Sequence, residues 1–152
     1  MKAGKKQIAH LFIELGIMLE ILGENPFKSR AYKNAARTIE RLPDDLEEMT
    51  CSGELIKIEG IGPAITKKIA TIIETGSLPK LDEVKAIIPP GLFPMLQIPE
   101  LTPRKINLLW KKLGITTVAE LERACREYRL AELRGFSEES QERILGHIRS
   151  ED

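Results

Sequence analysis

The sequence predicts an all-α protein of two small helical lobes, and three observations carry that expectation. Apolar residues recur at i, i+3, i+4 and i+7, strand-like alternation is nearly absent, and a degenerate unit of two helices joined by a tight hairpin repeats at offsets of 40 and 35 residues. Ile8, Leu11, Phe12, Leu15, Leu19 and Leu22 draw one apolar stripe on a first helix that stops at Gly23. Asn25 as cap and Pro26 at the first helical position open a second helix through about Leu42, with Ala31, Ala35, Ile39 and Leu42 facing inward. Pro43-Asp44-Asp45 ends it and caps a short third helix. Beyond Gly53, Leu55-Ile56-Lys57-Ile58 leads into Glu59-Gly60-Ile61-Gly62-Pro63 and a helix from about Ala64 to Thr75, closed by Gly76. Two prolines and a glycine do not fit inside a helix, so Ile87-Ile88-Pro89-Pro90-Gly91 reads as the boundary between lobes 1–88 and 89–152, the second helical again.

Composition removes several classes. With 152 residues the chain can bury roughly 68–70% of its unfolded surface, so it needs neither disulfides nor a structural metal. Cys51, Cys125, His10 and His147 with no C-x-x-C exclude a zinc finger and fit a reducing cytoplasm. No apolar run approaches the roughly 18 residues of a membrane span. Met1-Lys2-Ala3-Gly4-Lys5-Lys6 runs into an amphipathic pattern instead of a signal peptide's apolar region, and Met1 fits a genuine start. The 23 basic and 23 acidic residues cancel overall but not locally: 1–41 carries +4, 42–56 carries −5 and 57–80 carries +2. A local basic surface attracts phosphates within a Debye length of about 8–10 Å, so nucleic acid remains a candidate partner.

The repeat aligns Ile58, Ile98 and Leu133, then Ile61, Leu101 and Phe136, then Ile69, Leu109 and Ile144. Its turn residues differ. Gly60 and Gly62 of copy one become Glu100 and Thr102, then Gly135 and Ser137. A hydrophobic-x-Gly-hydrophobic-Gly-Pro turn between helices lets backbone amides point at an anion, through positive φ and close approach. On the following helix Lys68 lies about 40° from Ile72, at the edge of the apolar face, while Lys67 points away from it. A boundary amine beside a like charge is suited to attack a carbonyl, although a snorkelling lysine is the commoner meaning. Arg30, Lys33, Arg37 and Arg41 share a solvated face of helix 26–42, while Lys28 and Tyr32 lie one turn apart nearer its apolar side. Trp110, Tyr128 and Phe136 are read as core aromatics.

Three motifs in order are distinctive: Glu24 to Ala36 (ENPFKSRAYKNAA), Ile58-Glu59-Gly60-Ile61-Gly62-Pro63 with Lys67-Lys68-Ile69, and Thr75-Gly76-Ser77-Leu78-Pro79-Lys80-Leu81. They resemble the amino-terminal part of family X DNA polymerases, the DNA polymerase beta group, nearest to its bacterial branch. Residues 89–148, with Pro89-Pro90-Gly91-Leu92, Leu113-Gly114-Ile115-Thr116-Thr117 and Leu133-Arg134-Gly135-Phe136, look like the fingers helix-hairpin-helix segment that follows. The resemblance implies a DNA-binding repair module that takes the 5′-phosphate side of gapped, nicked or abasic-site duplex, with repair proteins as partners. It also implies 5′-deoxyribose-phosphate lyase activity: Lys68 falls on the Schiff-base lysine, Tyr32 on the tyrosine beside it, and Lys28 and Lys80 on phosphate-binding lysines. Lys67, Gly60 and Gly62 join the phosphate-binding set. The carbonyls of Ile56, Ile58 and Ile61 match positions that hold a monovalent cation, Na+ or K+, and no other cofactor is required. Departures are Ala64 in place of a phosphate-binding lysine, and Pro99-Glu100-Leu101-Thr102-Pro103 in place of a Gly-x-Gly turn, where Glu100 opposes a phosphate. No segment offers the Asp-x-Asp pattern that holds two Mg²⁺ ions, so polymerisation is not expected of this chain. The alternative is a protein-interaction module or a piece of a longer polymerase, favoured by Glu100, Thr102 and Ser137.

Overall fold

The structure, a computed structural model, describes residues 4–42 and 46–150, so the expected signals in Met1-Lys2-Ala3 and Pro43-Asp44-Asp45 lie outside the described residues. Eight α-helices follow in order: α1 (Lys5–Leu22), α2 (Pro26–Arg41), α3 (Leu46–Ser52), α4 (Pro63–Thr75), α5 (Pro79–Ile87), α6 (Pro103–Leu113), α7 (Val118–Arg126) and α8 (Glu138–Ser150). Short 3₁₀ turns at Leu55–Lys57, Pro90–Gln97 and Leu130–Glu132 precede α4, α6 and α8, and the described residues contain no strand. The all-α expectation holds. The chain divides into two compact units, one of residues 1–19 and 24–86, the other of 20–23 and 87–152.

In the first unit Ile8, Phe12, Leu15, Ile39, Leu55, Ile61, Ile69, Ile72 and Leu78 are buried. α1 and α2 approach closely at Gly16, where an added Cβ would stand 3.0 Å from the Ser29 carbonyl and from Lys33 Cγ. The start of α2 is as its sequence dictates: Asn25 Oδ1 accepts from Phe27 N at 2.9 Å and Pro26 fills the first position. Its inward face differs from the expected one. Ser29, Ala35, Ala36 and Ile39 are buried, whereas Ala31 is exposed and Leu42 only half-buried. Ala35 and Ile39 face inward as expected, but the buried stripe centres about 70° further round the helix than the expected four residues, on the side of the half-buried Tyr32 ring, which stacks on Phe12 at 5.9 Å. Lys85 Nζ on α5 reaches Glu14 Oε1 at 2.9 Å.

The second unit buries Ile21, Ile88, Leu92, Met95, Ile106, Leu109, Leu121, Leu130 and Ile144. Asn107 Nδ2 donates to the Ile21 carbonyl at 2.7 Å. Pro90 and Gly91, expected to exclude helix, open the 3₁₀ turn Pro90–Gln97 instead, since a 3₁₀ start leaves a proline nitrogen without an obligatory acceptor. Gly91 is sterically required: an added Cβ would sit 2.0 Å from the Thr116 carbonyl oxygen. α7 is capped reciprocally, Thr117 Oγ1 accepting from Glu120 N at 3.1 Å while Glu120 Oε1 accepts from Thr116 N at 3.1 Å. Phe136 is buried as expected, but Trp110 is half-exposed with Lys111 Nζ 3.8 Å from its ring centroid, and Tyr128 is 65% exposed. Trp110 lies just outside the Ile106–Leu109 stripe of α6, and Tyr128 follows the end of α7, where no element covers it.

Candidate functional site

The three repeats close their hairpins with the same backbone bond. Ile61 N donates to Ile58 O at 3.0 Å, Leu101 N to Ile98 O at 3.0 Å, and Phe136 N to Leu133 O at 3.1 Å. Gly60 (φ 90°) and Gly135 (φ 94°) use the left-handed region, while Tyr128 is the only described non-glycine residue there, so Glu100 makes its turn without it.

Gly62 is different from what the turn motif suggests. Its φ of −90° and ψ of −176° are open to any residue, and no atom lies within 4 Å of an added Cβ. Nothing inside the protein therefore demands glycine at the cap of α4. The counterpart in copy two is Thr102, with φ −87° and ψ 162°, whose Oγ1 accepts from Lys105 N at 3.2 Å. In copy three Ser137 Oγ accepts from Ser140 N at 3.1 Å. Copies two and three thus each satisfy one helix-start amide with a side chain of their own, whereas no side chain caps α4. Copy one alone leaves these donors available to an anion from outside, with α4's dipole behind them.

Glu100 does not stand as the bare opposing charge that its sequence position implied. Arg143 Nε donates to its Oε1 at 2.6 Å and Nη2 reaches Oε2 at 3.5 Å. That hydrogen bond, with the positive charges of Arg143 and Lys105, holds the Glu100 carboxyl below its ordinary value, and the Arg143 guanidinium is raised in return.

Beside hairpin one, a groove of about 310 Å³ gathers Lys67, Lys68 and Lys80 with Ala64, Thr71 and Leu78. Lys67 and Lys80 are exposed and Lys68 is half-buried, as its place at the edge of the apolar stripe requires. Lys68 Nζ lies 6.0 Å from the centroid of the Tyr32 ring. Hairpin one also faces α2, an added Cβ at Gly60 coming within 3.8 Å of Thr38 Oγ1. Lys28 is exposed one turn before Tyr32 and does not line the groove. Ala64 leaves a wall of the groove short and uncharged.

Of the hairpin carbonyls, Ile58 O accepts from Ile61 N, whereas Ile56 O and Ile61 O accept no backbone hydrogen bond among the described residues. Neutral, underused carbonyl oxygens suit a weakly charged monovalent cation. No cluster of three or more His, Cys, Asp or Glu side chains among the described residues could hold a metal ion, and no described helix is long and apolar enough to cross a membrane. Sequence reasoning missed the capping roles of Thr102 and Ser137. Their signal was present, since a hydroxyl residue one position before a helix is the commonest cap.

Residues 3–78 match the family described as helix-hairpin-helix domain, and residues 94–150 the family described as SAM-like helix-hairpin-helix tandem. The DNA polymerase/3′-5′ exonuclease PolX of Bacillus subtilis (strain 168) is 33% identical over 141 residues, 93% of this chain. The match takes in 24% of that relative's length, so the chain spans about a quarter of it.

Proposed function

The chain belongs to the helix-hairpin-helix domain family, and from that premise we propose that it is a DNA-binding repair module of the family X polymerase kind. It takes the 5′-phosphate side of a gapped, nicked or abasic-site duplex, reading backbone and ends without reading bases. The observation that carries this reading is the meeting of Lys67, Lys68 and Lys80 in one groove beside a hairpin whose helix start is uncapped. Lys80, Lys67 and the exposed Lys28 supply charge, and the amides beyond Gly62 supply directed donors. A monovalent cation on the carbonyls of Ile56, Ile58 and Ile61 would add a positive charge between hairpin and phosphate.

On the same groove we place 5′-deoxyribose-phosphate lyase chemistry. The Lys68 ε-amine attacks C1′ of the ring-opened abasic sugar and water leaves, giving an iminium that acidifies the C2′ proton. Loss of that proton to water breaks the C3′–O bond, the electron pair leaves with the oxygen of the downstream 5′-phosphate, and hydrolysis of the imine frees the lysine. Tyr32, packed on Phe12, sets one side of the amine's surroundings. Borohydride reduction in the presence of an incised abasic duplex tests this: a covalent protein–DNA adduct is expected. Lys68→Ala should abolish most of it while binding survives, because one charge among several phosphate contacts contributes little. An undiminished adduct would move the chemistry to Lys67, Lys28 or the amino terminus, and no adduct from wild type would leave a binding module only.

A second reading applies to hairpins two and three. Their self-capped helix starts and the Glu100–Arg143 pair favour protein contact over phosphate contact there. A partner that survives nuclease treatment of a lysate and is lost with residues 89–152 would support it.

A further inference from the structure

A cavity of about 460 Å³ lies along α7 and α8 of the second unit. It is lined by Arg126 and Tyr128 and, from α8, by Gln141, Glu142, Leu145, Gly146 and Arg149. Three features of that wall are unexplained by the fold itself.

Tyr128 occupies the left-handed region at φ 59°, closing α7 where glycine is the usual residue, with its N–H donating to Cys125 O at 3.2 Å. The strain is not offset by burial, since the ring is 65% exposed. Gly146 sits in the interior of α8, where glycine is unfavourable, yet no atom lies within 4 Å of an added Cβ. A glycine that the protein does not need for packing leaves open space in the cavity wall. Gln141 is 2% exposed, and its Oε1 accepts from Leu130 N at 3.2 Å and Ala131 N at 3.3 Å. With the oxygen turned to those amides, the Nε2 group is left as a donor on the cavity side, without a hydrogen-bond partner among the described residues.

From these features we propose that the cavity binds one nucleotide unit. The base lies on Gly146 and Leu145 against the Tyr128 ring, a base acceptor takes the Gln141 amide, and the phosphate meets Arg149 and Arg126. Arg126 already pairs with Glu122 at 2.7 Å, so Arg149 is the principal cation. Glu142 argues against a bare anion and for a ligand that also carries donors, such as the exocyclic amine of a base. The cavity is larger than a phosphate requires and within the range that encloses a small organic ligand. All of its lining residues belong to the second unit.

Calorimetric titration of the full chain with deoxyadenosine 5′-monophosphate, inorganic phosphate and a short single-stranded oligodeoxynucleotide tests the proposal. The mononucleotide is expected to bind, and Gly146→Leu, which fills the open space at that position, should weaken it by at least about tenfold with no loss of melting temperature. Tyr128→Gly should weaken binding about five- to hundredfold while raising thermal stability, opposite signs that a structural tyrosine would not give. An oligonucleotide that binds more tightly than the mononucleotide and is lost in the same variants identifies a strand as the natural source; equal affinities identify a free nucleotide. Absence of mononucleotide binding, insensitivity to Gly146→Leu, or inorganic phosphate binding as tightly as the nucleotide would overturn the proposal.

Discussion

Gly62→Ser gives hairpin one the hydroxyl that its two sister hairpins already carry, and the effects on stability and on binding should have opposite signs. The backbone at Gly62 (φ −90°, ψ −176°) nearly coincides with that of Thr102 (φ −87°, ψ 162°), and nothing obstructs a side chain. A serine there can accept from an early α4 amide as Ser137 does in α8. Relative to glycine, that cap is worth a few tenths of a kcal/mol, so the melting temperature should rise by about 1 °C. Binding should fall, because one amide is consumed and oxygen lone pairs now face the incoming phosphate. Losing one hydrogen bond to a charged group costs about 1.5–3 kcal/mol, or roughly ten- to hundredfold in affinity. Fluorescence anisotropy on a 5′-phosphorylated gapped duplex at fixed salt, beside a thermal melt, reads both effects. A raised melting temperature with unchanged affinity would refute the reasoning, since the amides of α4 would then be no part of the phosphate site.

Gly91→Ala should destabilise the second unit by about 1–3 kcal/mol, read in a denaturant melt, because its Cβ would meet the Thr116 carbonyl at 2.0 Å and backbone must move. The Glu100 carboxyl titrates below its ordinary value through the Arg143 bond, so its stabilising contribution is present above the unfolded-state value of 4.5 and is lost as pH falls through the lower folded value. Melting temperature in Glu100→Gln should therefore lose part of the acid-side decline seen in wild type. Burial and the nearby Glu122 charge push the Cys125 thiol up to about 11, so at pH 8 iodoacetamide should label the exposed Cys51 and leave Cys125 unmodified, as peptide mass mapping would show.

Local signals were legible where one residue has one physical job. Asn25-Pro26 opens α2 and Gly76, at φ 79°, closes α4, as cap chemistry requires. The phase of α2 was misread because small residues mark only where a helix can approach, whereas Tyr32 stacking on Phe12 sets which way it faces. Lys68 was placed correctly at a boundary by angle alone, but its company in the groove, Lys67 and Lys80, depends on α5 returning beside α4, which no periodicity encodes. Gly62 was read as a backbone requirement and is instead a vacancy at the cap. The positive φ belongs to Gly60. Thr102 and Ser137 in the place of Gly62 read as departures from the motif, while their hydroxyls each cap a helix start from within. Tyr128 was assigned to the core because an aromatic between helices usually is, and the left-handed turn that ejects it is invisible in a sequence without glycine at that position.

The most direct test of the account is a salt titration of binding to a gapped duplex carrying either a 5′-phosphate or a 5′-hydroxyl at the gap. With Lys28, Lys67 and Lys80 as the contacts, the logarithm of affinity should fall with the logarithm of salt at a slope of about −3. Lys67→Ala or Lys80→Ala should reduce that slope by about 1, and the 5′-phosphate should bind more tightly than the 5′-hydroxyl throughout. A flat salt dependence, or equal affinity for the two ends, would contradict the assignment of this groove and hairpin to a DNA 5′-phosphate.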